Sequence, residues 1–330
     1  MTVSCYEKNE KQSLFCHFFL LTNMIRLENL SNTPAATLFI VGTCVSIYTF
    51  QIICEPNVHN FTMNPRQIIY LHEYYRIITS TIFHANFMHI GMNMMSFIAI
   101  GSTLERQFGT VWHAFTILWS IFLTAAVYIF TAYILYFCFG TEGLMYQHSV
   151  GFSGVIFHLS VIQSNLNQHS TRSLFGMINV PSASYPWVLL VVLQFLMPNL
   201  SFMGHLAGII VGTLQVHGLL KYIFPTKEFM RACDEGVMCQ RIQAYGITYS
   251  QTSVCDSFHS GRSGTSSLTS LISKGILYVL KFLRDVGETL KVVIFGRGSG
   301  NENIQFLPNE NESVSIVIEG DDIIPESSMA

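Results

Sequence analysis

The sequence predicts an all-α polytopic membrane protein, a six-transmembrane-helix bundle followed by a polar C-terminal tail. Half of the 330 residues are apolar and only 11% are charged, against about 25% charged in an ordinary soluble domain. The mean hydropathy is +0.41. The charges are also unevenly placed, because between Arg106 and Lys221 only Glu142 and Arg172 occur. The uncharged blocks so defined exceed the roughly 20 residues that a helix needs to cross a bilayer. A net charge of −3 carries no basic signature of a nucleic-acid partner.

Three regions follow from this patterning. Residues 1–34 form a lead-in with Lys8 and Lys11 ahead of a short apolar run, Leu14 to Leu21. No small-residue cleavage site follows it convincingly, so it reads as an uncleaved amphipathic segment lying on the membrane. Residues 35–224 hold six apolar segments. The first runs from Ala35 to Cys54 between Glu28 and Glu55, and a polar loop with Arg66, Glu73 and Arg76 follows. The second covers Phe87 to Leu104, bounded by Glu105 and Arg106. The third, Val111 to Phe139, is long enough to tilt. The fourth starts near Ser153 and fades by Gln163, the fifth is Tyr185 to Leu196, and Pro198-Asn199 turns the chain into the sixth, His205 to Ile223.

Residues 225–330 are polar, rich in Ser, Thr and Gly, and end acidic, which reads as a largely flexible tail. Within 268–295, Leu268, Leu271, Ile272, Ile276, Val279, Leu280 and Leu283 recur at helical spacing, interrupted by Lys274, Lys281, Arg284 and Lys291. A basic amphipathic helix of this kind lies on anionic lipid or on a partner, or packs on itself. Val314 to Ile318, followed by acids, is a candidate strand for pairing with a partner's sheet edge. The eight cysteines contain no C-x-x-C pair, which argues against a disulfide framework or a zinc site.

Short-loop lysines and arginines set the orientation. Placing both termini, the 105–110 loop and the 164–184 loop in the cytosol groups Lys8, Lys11, Arg26, Lys221, Lys227 and Arg231 there. Arg66 and Arg76 then lie on the other side with Glu55, Glu73 and Glu142.

The fourth segment is informative because it is too short: ~12 residues make about 18 Å of helix, against ~30 Å of hydrocarbon. The preceding Met145 to Gly151 is polar and ends in glycine. Such a stretch enters the membrane level as non-helical backbone, tolerated where protein buries it or water fills a cavity. Ser153, within Gly151-Phe152-Ser153-Gly154, then opens a helix in a wet pocket where free N–H groups favour an oxyanion. Close packing of small residues is the competing reading, and a soluble-hydrolase elbow is excluded because Val155 stands where a glycine belongs.

His205 opens the sixth segment and shares a face with Gly208 and Gly212, which let that helix approach another at backbone distance; Gly218 lies beyond the crossing. A histidine in lipid is costly and marks function by default, the alternative being a satisfied structural histidine. His158 sits about 140° around the helix from Ser153 and is the poorer base, whereas the loop-borne His148 stays open as one. In the second segment His84 precedes His89 and Asn93, an i, i+4 pair. That pair suits either donation to an oxyanion or an interhelical polar clamp.

Taken together these features resemble the rhomboid family of intramembrane serine proteases, over residues 35–223. Gly-x-Ser-Gly in the fourth segment and His-x-x-Gly-x-x-x-Gly in the sixth match the family's dyad at Ser153 and His205, with Gly151, Gly154, Gly208 and Gly212 as the small residues around it. His84, His89 and Asn93 match the family's second-helix motif; Tyr75-Arg76 matches its aromatic-Arg pair, and Glu105-Arg106-x-x-Gly109 its helix cap. Phe157 stands where many members have tyrosine; it can still stack on His205 but offers no hydroxyl. Within the family the sequence around the dyad looks most like the endoplasmic-reticulum branch, although the tail has neither an arginine-rich segment nor a ubiquitin-interacting helix of that branch.

The resemblance implies a serine endopeptidase that cuts transmembrane substrates in the endoplasmic-reticulum membrane, with a role in membrane-protein quality control as the further expectation. His205 would act as base, His89 and Asn93 would stabilise the oxyanion with the Ser153 N–H, and His84 would hold the first loop. Such chemistry requires no metal or cofactor. Expected partners are transmembrane substrates, the bilayer and a cytosolic partner of the tail. Two other classes compete: a silent rhomboid-like binder that escorts membrane clients, and a channel or transporter. Relatives of the first kind typically lack the serine or histidine, and the second is weakened by the absence of an intramembrane carboxylate or lysine.

Overall fold

A computed structural model describes residues 32–166, 170–174 and 178–236. All of these lie in the first of two units, residues 1–279. The lead-in up to residue 31, the amphipathic stretch 268–295 and the strand candidate 314–318 fall outside the described residues.

Helix α1 (Ala35–Cys54) follows Pro34, which provides no side-chain cap. The cap comes from the second span instead: the Glu105 carboxyl accepts Ala36 N at 2.9 Å, and Thr37 N and Thr37 Oγ1 at 2.8 Å each. The first loop is folded. It carries a 3-10 turn (Val58–Phe61), α2 (Pro65–Leu71) and α3 (Arg76–Ile82). Asn64 caps α2 by accepting Gln67 N at 3.0 Å, and Pro65 supplies the preset φ that suits a first helical position.

Helix α4 (Phe87–Phe108) starts at the Asn86 cap, whose side chain accepts His89 N at 2.9 Å. It ends four residues later than expected. Glu105 is buried against α1 and Thr110 rather than exposed, so the charge does not stop the helix; Gly109, at φ 100°, does. Helix α5 (Thr110–Phe139) is 30 residues long, about 45 Å at 1.5 Å per residue. Gly140 ends it in the left-handed region. The short α6 (Gly143–Tyr146) leads by extended backbone into α7 (Ser153–Leu166).

The 164–184 loop departs from a purely helical fold. Within it β1 (Thr171–Leu174) pairs antiparallel with β2 (Ile178–Pro181), Arg172 opposite Val180, and a 3-10 turn at Ser182–Ser184 follows. Helix α8 (Tyr185–Leu196) and helix α9 (Phe202–Val216) complete the bundle. The sixth helix is shifted toward the N-terminus relative to the expected His205–Ile223. Ser201 caps it, its Oγ accepting Gly204 N at 3.2 Å, and Gly218, at φ 72°, terminates the path beyond Val216. The tail does not start as free chain: α10 (Lys227–Asp234) places Met230 in the core of the bundle.

Helices α1, α4 and α5 are each long and apolar enough to cross a membrane. Helices α7, α8 and α9, of 14, 12 and 15 residues, are shorter. The main core joins Phe97, Leu104 and Phe108 of α4 to Trp112 of α5 and to Phe152, Leu159 and Ile162 at and within α7. The outer side of α5 exposes Phe130, Tyr133, Phe137 and Phe139. An apolar outer face of this kind fits lipid where protein leaves the helix open.

Candidate active site

Glycines bring α7 and α9 together. A Cβ on Gly208 would lie 2.2 Å from the Gly154 carbonyl oxygen, and one on Gly212 would lie 2.8 Å from Val161 Cβ and 2.9 Å from the His158 oxygen. Only hydrogen fits at these two points, so the helices meet backbone to backbone. That approach sets Ser153, the first residue of α7, against His205 in the first turn of α9. The Ser153 hydroxyl and His205 Nε2 are 2.9 Å apart, within general-base reach. Phe157, one turn into α7, stacks on the His205 ring at 4.6 Å and 28° and fixes its plane.

The pair lies in a cleft of about 70 Å³ that His89, Thr124, Tyr128 and Gly151 also line. Gly151 has φ 114°, and a Cβ there would meet His89 Nε2 at 2.8 Å and Asn93 Nδ2 at 3.2 Å. Both ring nitrogens of His89 and the Asn93 amide nitrogen are buried without a hydrogen-bond partner among the described residues. Buried donors left open are costly, on the order of 1–3 kcal/mol each. The neutral His89 ring has one N–H to give and the Asn93 amide nitrogen carries hydrogens of its own, so two open donor groups beside one serine mark a place built for an incoming acceptor. The first helical bond at the start of α7 runs from Ile156 N to Phe152 O, so the N–H groups of Ser153, Gly154 and Val155 precede it. Phe152, fully buried edge-on against Phe97, pins that helix start.

The remaining candidates divide by place. Arg76 is buried and holds the first loop, donating from Nη1 to His59 O (2.8 Å) and Thr62 O (3.0 Å), with Nε on Glu73. His84 stands at the end of that loop and ties the last turn of α3 to the end of α1. Its ring bonds locally to Ile82 O at 3.1 Å, its backbone pairs with the Gln51 side chain of α1, and its ring packs edge-on to His89 at 5.4 Å. It therefore supports His89. Glu105 sits at the other end of α4 and caps α1. His158 is buried between α7 and α9 with Nε2 2.6 Å from Gln215 Oε1. The His148 ring is held by Thr62 and Asn64 and is not among the residues lining the cleft.

Tyr128, which donates to Gln147 Oε1 at 3.0 Å and lines the cleft, has no counterpart among the sequence-derived candidates. The signal was present: Thr116, Ser120, Thr124 and Tyr128 recur every four residues in an uncharged segment and all turn inward.

A family model described as the rhomboid domain matches residues 71–222, a span that contains every one of the site residues above. The chain belongs to the rhomboid family. The relatives this rhomboid matches include Rhomboid-like protein 15 of Arabidopsis thaliana, 33% identical over 59% of this chain and 49% of the relative. They also include Rhomboid-related protein 4 of Homo sapiens, 30% identical over 66% of each chain. Rhomboid-type serine protease 2 of Debaryomyces hansenii is 26% identical over 62% of this chain and 71% of its own. The match thus spans about half the length of the plant relative and just under two-thirds of the human one. With three helices able to cross a membrane, this rhomboid is a helical multi-pass membrane protein.

Proposed function

We propose that this rhomboid is an intramembrane serine endopeptidase. The observation that carries the reading is the 2.9 Å contact between Ser153 Oγ and His205 Nε2 beside unpartnered His89 and Asn93 donors. His205 Nε2 takes the Ser153 proton as Oγ attacks a peptide carbonyl. The resulting oxyanion is met by His89, by Asn93 Nδ2 and by the Ser153 N–H, each such donor being worth about 10²–10³ in rate. His205 then returns the proton to the leaving amine. Water entering the cleft repeats the sequence on the acyl-enzyme.

The substrate is a transmembrane segment locally unwound at the cut. Its extended backbone is needed because a helical carbonyl is already bonded within its own helix. The bundle crosses the membrane six times, α7, α8 and α9 being completed by the non-helical backbone around them. Both termini lie in the cytosol, the cleft opens to the lumen, and endoplasmic-reticulum residence with a role in membrane-protein quality control follows the likeness to Rhomboid-related protein 4.

The test is labelling of the purified protein by a fluorophosphonate, with cleavage of a model transmembrane substrate measured in parallel. Labelling and cleavage that both vanish in Ser153→Ala support the reading. A folded protein that takes no label and cuts nothing returns the family's other role, a binder of membrane clients.

A further inference from the structure

The segment that delivers Ser153 is not held by α7 alone. Residues 147–152 are non-helical and bend at Gly151, and Ser149 exchanges two backbone hydrogen bonds with Met63 of the first loop, at 2.8 and 3.1 Å. Gly151 N donates to Ser80 O at 2.7 Å. Between these bonds and α6 stands His148, whose ring touches the first loop through both nitrogens: Nδ1 is 2.6 Å from Thr62 Oγ1 and Nε2 is 3.2 Å from Asn64 Nδ2.

The surrounding partners fix the proton. The Thr62 hydroxyl donates its only hydrogen to His59 O at 2.9 Å, so towards His148 it accepts, and Nδ1 carries the hydrogen. Asn64 Oδ1 accepts Gln67 N as the cap of α2, while Nδ2 faces both Tyr146 O and His148. Asn64 therefore donates to a bare Nε2. Turning the amide over would break the cap. A second proton on the ring would set N–H against N–H at Asn64. The neighbouring charges oppose it too: the His59 ring lies 5.0 Å away, Arg76 holds the carbonyls of His59 and Thr62, Arg66 sits over Tyr146, and Glu73 is already paired with Arg76.

We propose that His148 is a positioning residue of the active site. Its neutral form clamps the first loop to the segment that presents Gly151 and Ser153, and its protonation opens the clamp. Partial burial, with His59 and Arg76 nearby, holds the ring below its ordinary range. The opened loop keeps the ordinary imidazole value, about 6.5. The clamp is therefore fully favoured above that value and weakens as pH falls below it, until the clamped form itself takes up the proton. One proton allows at most about a tenfold change per pH unit.

The effect on turnover rests on the protease reading of Ser153 and His205; the clamp itself does not. The experiment therefore uses two readouts on the full chain in detergent, between pH 5 and 8. These are amide hydrogen exchange of residues 146–152, corrected for intrinsic chemistry, and kcat/KM on a transmembrane substrate. In the wild type, protection should fall on acidification by at most about tenfold per pH unit, and kcat/KM should fall once the open form is populated. Asn64→Asp keeps the cap of α2 and gives protonated Nε2 an acceptor, so its protection should persist in acid. His148→Gln lacks the titrating group and should show a flat protection profile. Parallel acid limbs in all three proteins, or a wild type whose protection ignores pH, overturn the proposal. Protection that follows pH in a wild type without turnover or label supports the clamp and sinks the protease reading instead.

Discussion

Ser153 and His205 meet at 2.9 Å across two helices that start at the same end of the bundle. Ser153→Ala and His205→Ala should each abolish cleavage of a transmembrane substrate while leaving expression and thermal stability near wild type. The double variant should be hardly worse than either single one, because the two groups act as a unit. Cleavage by His205→Ala near the wild-type rate would move the base elsewhere. Asn93 separates two roles. As an oxyanion donor its loss in Asn93→Ala should lower kcat about 10²–10³-fold with Tm unchanged, whereas a packing clamp would lose Tm and activity together. The unpartnered state of Nδ2 favours the first outcome, since the substitution removes no hydrogen bond made by that nitrogen.

Helix contacts carry the next prediction. Gly208→Val must displace α9, because even a Cβ would reach 2.2 Å from the Gly154 oxygen, and activity should be lost. Gly42→Val in α1, where nothing lies within 4 Å of the added atom, should leave activity intact. Gly218 is no suitable control, since its φ of 72° strains any side chain whatever the space. Equal losses at Gly42 and Gly208 would refute the close-approach account. The apolar helices and the glycine crossing were legible in the sequence because periodicity and spacing report helix faces directly, and the pairing of Ser153 with His205 was expected from the resemblance of their motifs. Polar pairings between distant elements were not. His148 with Asn64, and His158 with Gln215, lie 84 and 57 residues apart. Nothing local in either sequence window says which partner the fold will bring. The caps at Asn64 and Asn86 lay between: the asparagine-proline pair at 64–65 is a helix-start signal, yet the loop around it read as merely polar.

For the whole molecule, topology decides which compartment supplies water to the cleft. Asn60-Phe61-Thr62 lies in the proposed lumenal loop and Asn311-Glu312-Ser313 in the proposed cytosolic tail. In the folded loop Asn60 is exposed, but the Thr62 hydroxyl is buried between His59 and His148, so any glycan at Asn60 must be added before the loop closes. A mobility shift on glycosidase treatment of microsomes should therefore be absent in Asn60→Gln, and Asn311→Gln should behave as wild type. A glycan at Asn311 would invert the bundle and open the cleft to the cytosol.

The capping of α1 by Glu105 also has a consequence in time. Helix α1 is synthesised before α4, and its start is completed by a residue 69 positions later in the chain. At about 5–20 residues per second of synthesis, roughly 3–14 s pass before that carboxyl exists. For that interval the N–H groups of Ala36 and Thr37 lack the carboxylate that caps them in the folded bundle, and the start of α1 is completed only when α4 arrives. Birth order and assembly order therefore differ here: α1 and α4 are finished together.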